Sequence, residues 1–199
     1  MLVFGHVGIT SIVARGIDLA FPTPGDESGK GFRGKLSKVV NAFRGPDGTI
    51  DYRMVIIGSM LPDIVDKPLF LMMNDSTYFS GRGFSHSLLF SILLLGSGLI
   101  FRKARLLVLW FGSLMHLVLD QIWRMEVTLF WPFKGWFIPY DSENWFENIW
   151  SGLIHNPDVY IPEVFGFLVV IYFTLKLVMQ RGIYRFIVKG TISQEKRLV

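Results

Sequence analysis

GSMLPDIVDKP, residues 58–68, places two aspartates three positions apart at the end of an apolar run. Two later stretches carry matching chemistry: RGFSHSLL (82–89) holds His86, and HLVLD (116–120) holds His116 and Asp120. Ionisable groups in surroundings this apolar are costly unless something compensates them, and a bound divalent cation is the simplest compensation. Asp63, Asp66, His86, His116 and Asp120 are all hard or borderline ligand types. The expectation that organises the rest of the chain is therefore a helical protein whose polar residues converge on a metal.

The composition sets the surroundings. Of 199 residues, 51% are hydrophobic and 15% aromatic, and there is no cysteine; mean hydropathy is +0.42. One domain of this size rarely needs so much apolar surface in water, so lipid contact is expected. A water-soluble helical protein with a very apolar core is the competing reading. Without thiolates, any metal must be held by nitrogen and oxygen. The net charge of +4 is modest. Basic residues gather in 30–53, 102–105 and 176–197, a pattern of loops facing anionic lipid and not of a nucleic-acid groove. The amino-terminal run lacks a basic leader and is interrupted by His6 and Arg15, so it does not read as a cleavable signal peptide.

The periodicity predicts an all-α, membrane-embedded bundle of about five main helices. Residues 2–21 read as the first. Residues 22–53 form a polar loop, with PTPGDESGKGFRGK and a GPDG turn, and LSKVVNAF (36–43) as a short amphipathic helix inside it. The apolar run resuming at Met54 is expected to break or restart at Pro62. After a loop at 74–83, with Ser85 as N-cap, residues 86–101 and 106–123 form two apolar helices joined by RKAR. Trp131, Trp136, Tyr140, Trp145, Trp150 and Tyr160 crowd 124–160, as at a membrane interface. Pro162 and Glu163 open the last helix (164–179), the bundle domain closes near residue 180, and 181–199 form a basic cytoplasmic tail. The apolar runs are mostly shorter than the roughly 20 residues of a simple span, which tilt can accommodate.

Placing the basic stretches in the cytoplasm fixes an orientation. His86 then lies at the outer end of its helix, His116 and Asp120 approach the outer end of the next, and the run from Met54 climbs outward to Asp63 and Asp66. His6 and Glu163 fall on the same side. The charge rule uses none of these residues, so their convergence on the non-cytoplasmic side is independent support for one shared site.

Each candidate also has an ordinary structural explanation. His116 and Asp120, four apart on one helical face, suit either a buried hydrogen bond or two ligands to one ion. Asp63 and Asp66 suit either a helix's first turn, with Lys67 beside Asp66, or ligation. Arg82 suits either a juxtamembrane surface or an anionic substrate group such as phosphate. Glu163 suits capping, a further ligand or a general base. Ser85 and Ser87 lack the surroundings of a nucleophile, and His155 reads as a loop residue.

The set GSMLPDIVDKP, RGFSHSLL and HLVLDQIW…FWPF, preceded by His6, resembles the YdjM-like family of membrane-bound metal-dependent hydrolases over roughly residues 1–180. That family is regarded as distantly similar to the all-helical zinc-dependent phospholipase C and nuclease group. The resemblance implies His6, Asp63, His86, His116 and Asp120 as ligands, with Asp66 joining them, and hydrolysis of a phosphoester, lipid included. Zinc is the first expectation for the metal, with manganese or another divalent ion as alternatives. Asp66 or Glu163 would accept a proton and Arg82 would steady the anion. Two other readings keep the same residues: a membrane metal-binding or ion-handling protein with a closed coordination shell, and a bundle whose polar residues only hydrogen-bond between helices.

Overall fold

The structure is a computed structural model that describes residues 2–21, 31–73, 81–136 and 145–192. Residues 22–30 of the polar loop, 74–80, the aromatic stretch 137–144 and the tail beyond 192 lie outside the described residues. All regular structure in the described residues is helical: α1 (Val3–Ala20), α2 (Phe32–Ala42), α3 (Tyr52–Met73), α4 (Leu88–Ile100), α5 (Ala104–Leu119), α6 (Glu126–Leu129), α7 (Trp145–His155), α8 (Pro157–Met179) and α9 (Ile183–Lys189). Five of these, α1, α3, α4, α5 and α8, are the main helices of the bundle.

Several boundaries differ from the sequence expectations: α2 starts at Phe32 and not at residue 36, α5 ends at Leu119 and not at residue 123, and three further differences have identifiable causes. α3 runs without interruption through Pro62 and Pro68. A proline removes one intrahelical hydrogen bond, here the one to the Gly58 carbonyl, and crowds the preceding turn, yet packed neighbours hold the helix through it; the Ser85 hydroxyl ties this part of α3 to the next element by donating to the Pro62 carbonyl at 2.8 Å. The N-cap of α4 is Ser87, whose Oγ accepts from Phe90 N at 3.2 Å, so Ser85 is not the cap and His86 belongs to a short 3-10 turn before the helix. α8 starts at Pro157 behind the capping Asn156, five residues before Pro162, because Asn followed by proline at the first helical position is the stronger start signal.

Glycines set the closest helix contacts. A Cβ on Gly8 or Gly166 would collide with backbone of the opposite helix, so α1 and α8 approach as small-residue helices do in membranes. Gly58 and Gly112 play the same part between α3 and α5: a Cβ on Gly58 would stand 2.6 Å from the Leu109 carbonyl oxygen, and one on Gly112 would stand 2.7 Å from Gly58 C.

The distribution of polarity is inverted relative to a bundle folded in water. Large apolar side chains face outward along α8 (Val164, Phe165, Leu168, Tyr172, Leu175, Met179), and α4 shows the same with Ile92, Leu93 and Leu99. The fully enclosed side chains are instead mostly polar, including His6, Thr10, Ser59, Asp66, His86 and His116. Lipid outside and a polar site inside reconcile the two. α1 and α8 are long and apolar enough to cross a membrane, while α4 and α5 are shorter. At the other end, Ala14, Tyr52, Val55, Val108, Val169 and Phe173 form an apolar core that includes Ile192. The described part of the basic tail docks there: Tyr52 N donates to the Gly190 carbonyl at 2.8 Å, and Arg53 donates to the carbonyls of Ile187 and Val188.

Candidate metal centre

Four elements deliver the cluster. Two turns of α3 beyond the Gly58–Gly112 contact present Ser59, Asp63 and Asp66; α5 presents His116, with Asp120 as its C-cap; the 3-10 turn presents His86 and α1 presents His6. His116 Nδ1 lies 2.7 Å from the Ser59 carbonyl. A carbonyl only accepts, so Nδ1 carries the proton and Nε2 offers a lone pair. The close glycine contact one turn earlier is what brings this carbonyl within reach.

His86 is fixed in the same tautomer by a different partner. Its Nδ1 lies 2.7 Å from Asp66 Oδ2, and Asp66, fully buried, also accepts from Gly83 N at 2.8 Å and Ser85 N at 3.2 Å. With both oxygens engaged by donors, the carboxylate accepts from the ring. His86 Nε2 is thereby left with a lone pair, and it faces His116 Nε2 at 3.3 Å. Two lone pairs at that distance repel unless a cation stands between them.

Asp63 Oδ1 completes a triangle, 3.7 Å from His86 Nε2 and 3.8 Å from His116 Nε2. Donors arranged tetrahedrally at about 2.1 Å from a zinc ion stand roughly 3.4 Å apart, so the three are spaced as ligands of one small divalent ion. Asp120 Oδ2 is 4.0 Å from His116 Nε2, and Oδ1 is 3.1 Å from His6 Nε2. The His6 ring stacks on His116 at 4.0 Å between centroids and is fully enclosed; Nδ1 makes no hydrogen bond, and Nε2 has only the Asp120 oxygen within reach. A buried imidazole with one nitrogen unpartnered and the other aimed at a carboxylate is a costly arrangement that ligation would satisfy. His6, His116 and Asp120 form a second triad that shares His116 with the first.

A family model described as YdjM inner membrane protein matches residues 1–183. The chain belongs to that family. No curated protein and no solved structure matches it. The matched span contains every residue of the cluster, and an inner-membrane family accounts for the apolar exterior of this YdjM chain.

The remaining candidates take other places. Asp66 stands behind His86, not beside the open donors. Arg82 sits at the rim, partly exposed, with Nη2 2.8 Å from Asp120 Oδ2. Glu163 is apart from the cluster: its carboxylate accepts from Leu2 N at 2.5 Å, Phe4 N at 3.0 Å and Gly5 N at 3.1 Å. It therefore caps α1 across the α1–α8 contact and does not cap its own helix. Lys67 pairs with Asp63 at 2.7 Å, four residues back, and not with its neighbour Asp66; the i,i+4 spacing was the available signal. Ser59 was invisible to sequence reasoning, because it acts through its carbonyl and any residue carries one.

Glu163→Gln tests the capping assignment. An amide keeps one accepting oxygen but loses the charge that three backbone donors share. The expected result is a lower melting temperature, equivalent to about 1–3 kcal/mol, with metal content and any hydrolytic activity of the folded fraction unchanged. Loss of activity at unchanged stability would instead return Glu163 to a role in the chemistry.

Proposed function

We propose that this YdjM-family protein is a membrane-bound metal-dependent hydrolase acting on a phosphoester. The observation that carries the reading is the pair of Nε2 lone pairs of His86 and His116 held face to face beside Asp63. Asp63, His86 and His116 would hold a divalent ion, zinc first, with Asp120 and His6 adjoining. When bound, such an ion supplies Lewis acidity to a phosphoryl group and to attacking water.

The chain's own residues favour an anionic substrate. Asp63 directs one oxygen inward and the other to Lys67, and Asp120 directs one towards His6 and the other to Arg82. Both cations are substantially exposed, so the open side of the site presents positive charge. The planar Arg82 fork can exchange its carboxylate partner for phosphoryl oxygens. Asp66 and Glu163 have both oxygens engaged by donors away from the open side of the site, which speaks against either as the group that takes a proton from attacking water.

The test is a screen of metal-replete, detergent-purified protein against phosphomonoesters, phosphodiesters and phospholipids, with Arg82→Ala beside the wild type. The variant should keep its metal and lose at least about tenfold in kcat/KM on the cleaved phosphoester, as expected for losing a charged substrate contact. Stoichiometric metal without hydrolysis of any ester would favour the non-catalytic metal-binding reading. A metal-free wild type would remove both.

A further inference from the structure

The end of the bundle opposite the metal centre carries a second constructed feature. An open cavity of about 880 Å³ is lined by Arg44, Arg102, Lys103, Arg105 and Lys189, against the carboxylates of Asp47 and Asp51. It lies roughly 18 Å from Asp63, the rise of α3 over the twelve residues from Asp51. The charges divide into used and unused. Arg44 is spent on Asp18 at 2.9 Å and on the carbonyls of Asp18 and Phe21. Arg53 and Arg105 both bond Asp51, at 2.7 and 3.1 Å. Burial pushes the Asp51 carboxyl up, but the hydrogen bonds and charge of Arg53, joined by Arg105, outweigh it and hold the group below the usual carboxylate range. Asp47 accepts from Thr49 N. Arg102, Lys103 and Lys189 have no acidic partner among the described residues, and they converge on the same cavity from the α4–α5 turn and the end of α9.

Beneath this cavity lies an apolar crevice of about 130 Å³ lined by Ala14, Val40, Ile50 and Phe111 among others, and Phe43 and Val108 line both spaces. Basic head space opening onto apolar depth is the shape of an amphiphile. The flanking helices put this end at a bilayer surface. α2 exposes Phe32, Leu36 and Val39 beside Lys35 and Lys38, and α9 exposes Ile183, Tyr184 and Ile187 beside Arg185 and Lys189; both are short amphipathic helices of the interfacial kind.

We propose that this cavity is a binding site for an anionic phospholipid, its phosphate held by Arg102, Lys103 and Lys189 and the start of an acyl chain entering the crevice between Phe43 and Val108. Basic pockets between helices at a membrane face bind such headgroups, and each basic residue near the surface contributes about a fivefold gain in affinity. The site is separate from the metal centre and does not depend on the hydrolase reading.

The experiment is native mass spectrometry of the full chain in detergent, titrated with phosphatidylglycerol, phosphatidylcholine or glycerol 1-phosphate, with thermal melting on the same samples. The wild type should retain one phosphatidylglycerol and melt higher with it, with little response to the other two. The triple variant Arg102→Ala/Lys103→Ala/Lys189→Ala, altered only at exposed positions, should bind that lipid about a hundredfold more weakly and keep the wild-type circular dichroism spectrum. Equal retention by the triple variant, or equal binding of phosphatidylcholine, overturns the proposal. A shift with glycerol 1-phosphate as large as with the lipid overturns the lipid assignment in favour of a soluble phosphoester.

Discussion

His116→Ala is expected to abolish stoichiometric metal binding and the stability that metal confers. The residue belongs to both candidate triads, its free nitrogen is 3.3 Å from that of His86, and its ring supports the stacked ring of His6. Removing it deletes one donor outright and leaves a second without its neighbour. Metal present at a thousand times its dissociation constant stabilises the folded state by about 4 kcal/mol. For a chain of this length that corresponds to roughly 10 °C in melting temperature. Chelation should therefore lower the wild-type melting temperature by about that much and leave His116→Ala unmoved, with elemental analysis showing metal only in the wild type. His155→Ala, at the exposed end of α7, is the control that should behave as wild type. If the variant retained one metal per chain, or if chelation moved neither protein, the metal centre would have to be abandoned for a bundle of hydrogen-bonded polar residues.

The expected all-helical bundle is the one observed, and the reason lies in signals carried by side-chain type. Long apolar runs punctuated by polar loops leave little alternative to helices. The ligand-type residues His6, Asp63, His86, His116 and Asp120 stood out because charge is rare in such runs, and the fold gathers all five. The parts that were not legible depend on backbone and on distance. Ser59 acts through its carbonyl, Asp66 meets two amides of a turn some twenty residues away, and Glu163 caps a helix 158 to 161 residues distant in sequence. Nothing local marks such partners. Pro62 misled for a related reason: a proline's local preference is for a break, but the packing that carries α3 through it, the Gly58–Gly112 contact with α5 included, comes from other elements. The glycines at 58 and 112 carried a signal, small residues on two apolar helices, whose meaning appeared only once the helices were paired.

Asp66→Asn separates positioning from ligation. Asp66 receives three donors on two oxygens: Gly83 N and His86 Nδ1 on Oδ2, and Ser85 N on Oδ1. An asparagine of the same shape has one accepting oxygen and one donating NH2. If the oxygen takes the Oδ2 place, the NH2 confronts the Ser85 N–H. If it is turned round, the NH2 faces Gly83 N–H and His86 Nδ1, and the ring can only satisfy it by moving its proton to Nε2. That tautomer directs a proton at His116 and cannot bind metal. The expected result is a loss of about 10–100-fold in metal affinity, the usual consequence of removing the carboxylate behind a ligating histidine, with a fall of about 1–3 kcal/mol in the stability of the metal-free protein from the mismatched donor. Nitrogen-15 chemical shifts of the His86 ring should report the change from an Nδ1-protonated to a mixed or Nε2-protonated imidazole, a signature that generalised unfolding cannot produce. An affinity within twofold of wild type with an unchanged His86 tautomer would sink the positioning role. Complete loss of metal with the tautomer preserved would instead make Asp66 a ligand in its own right, reached by a rearrangement of the 3-10 turn that holds it.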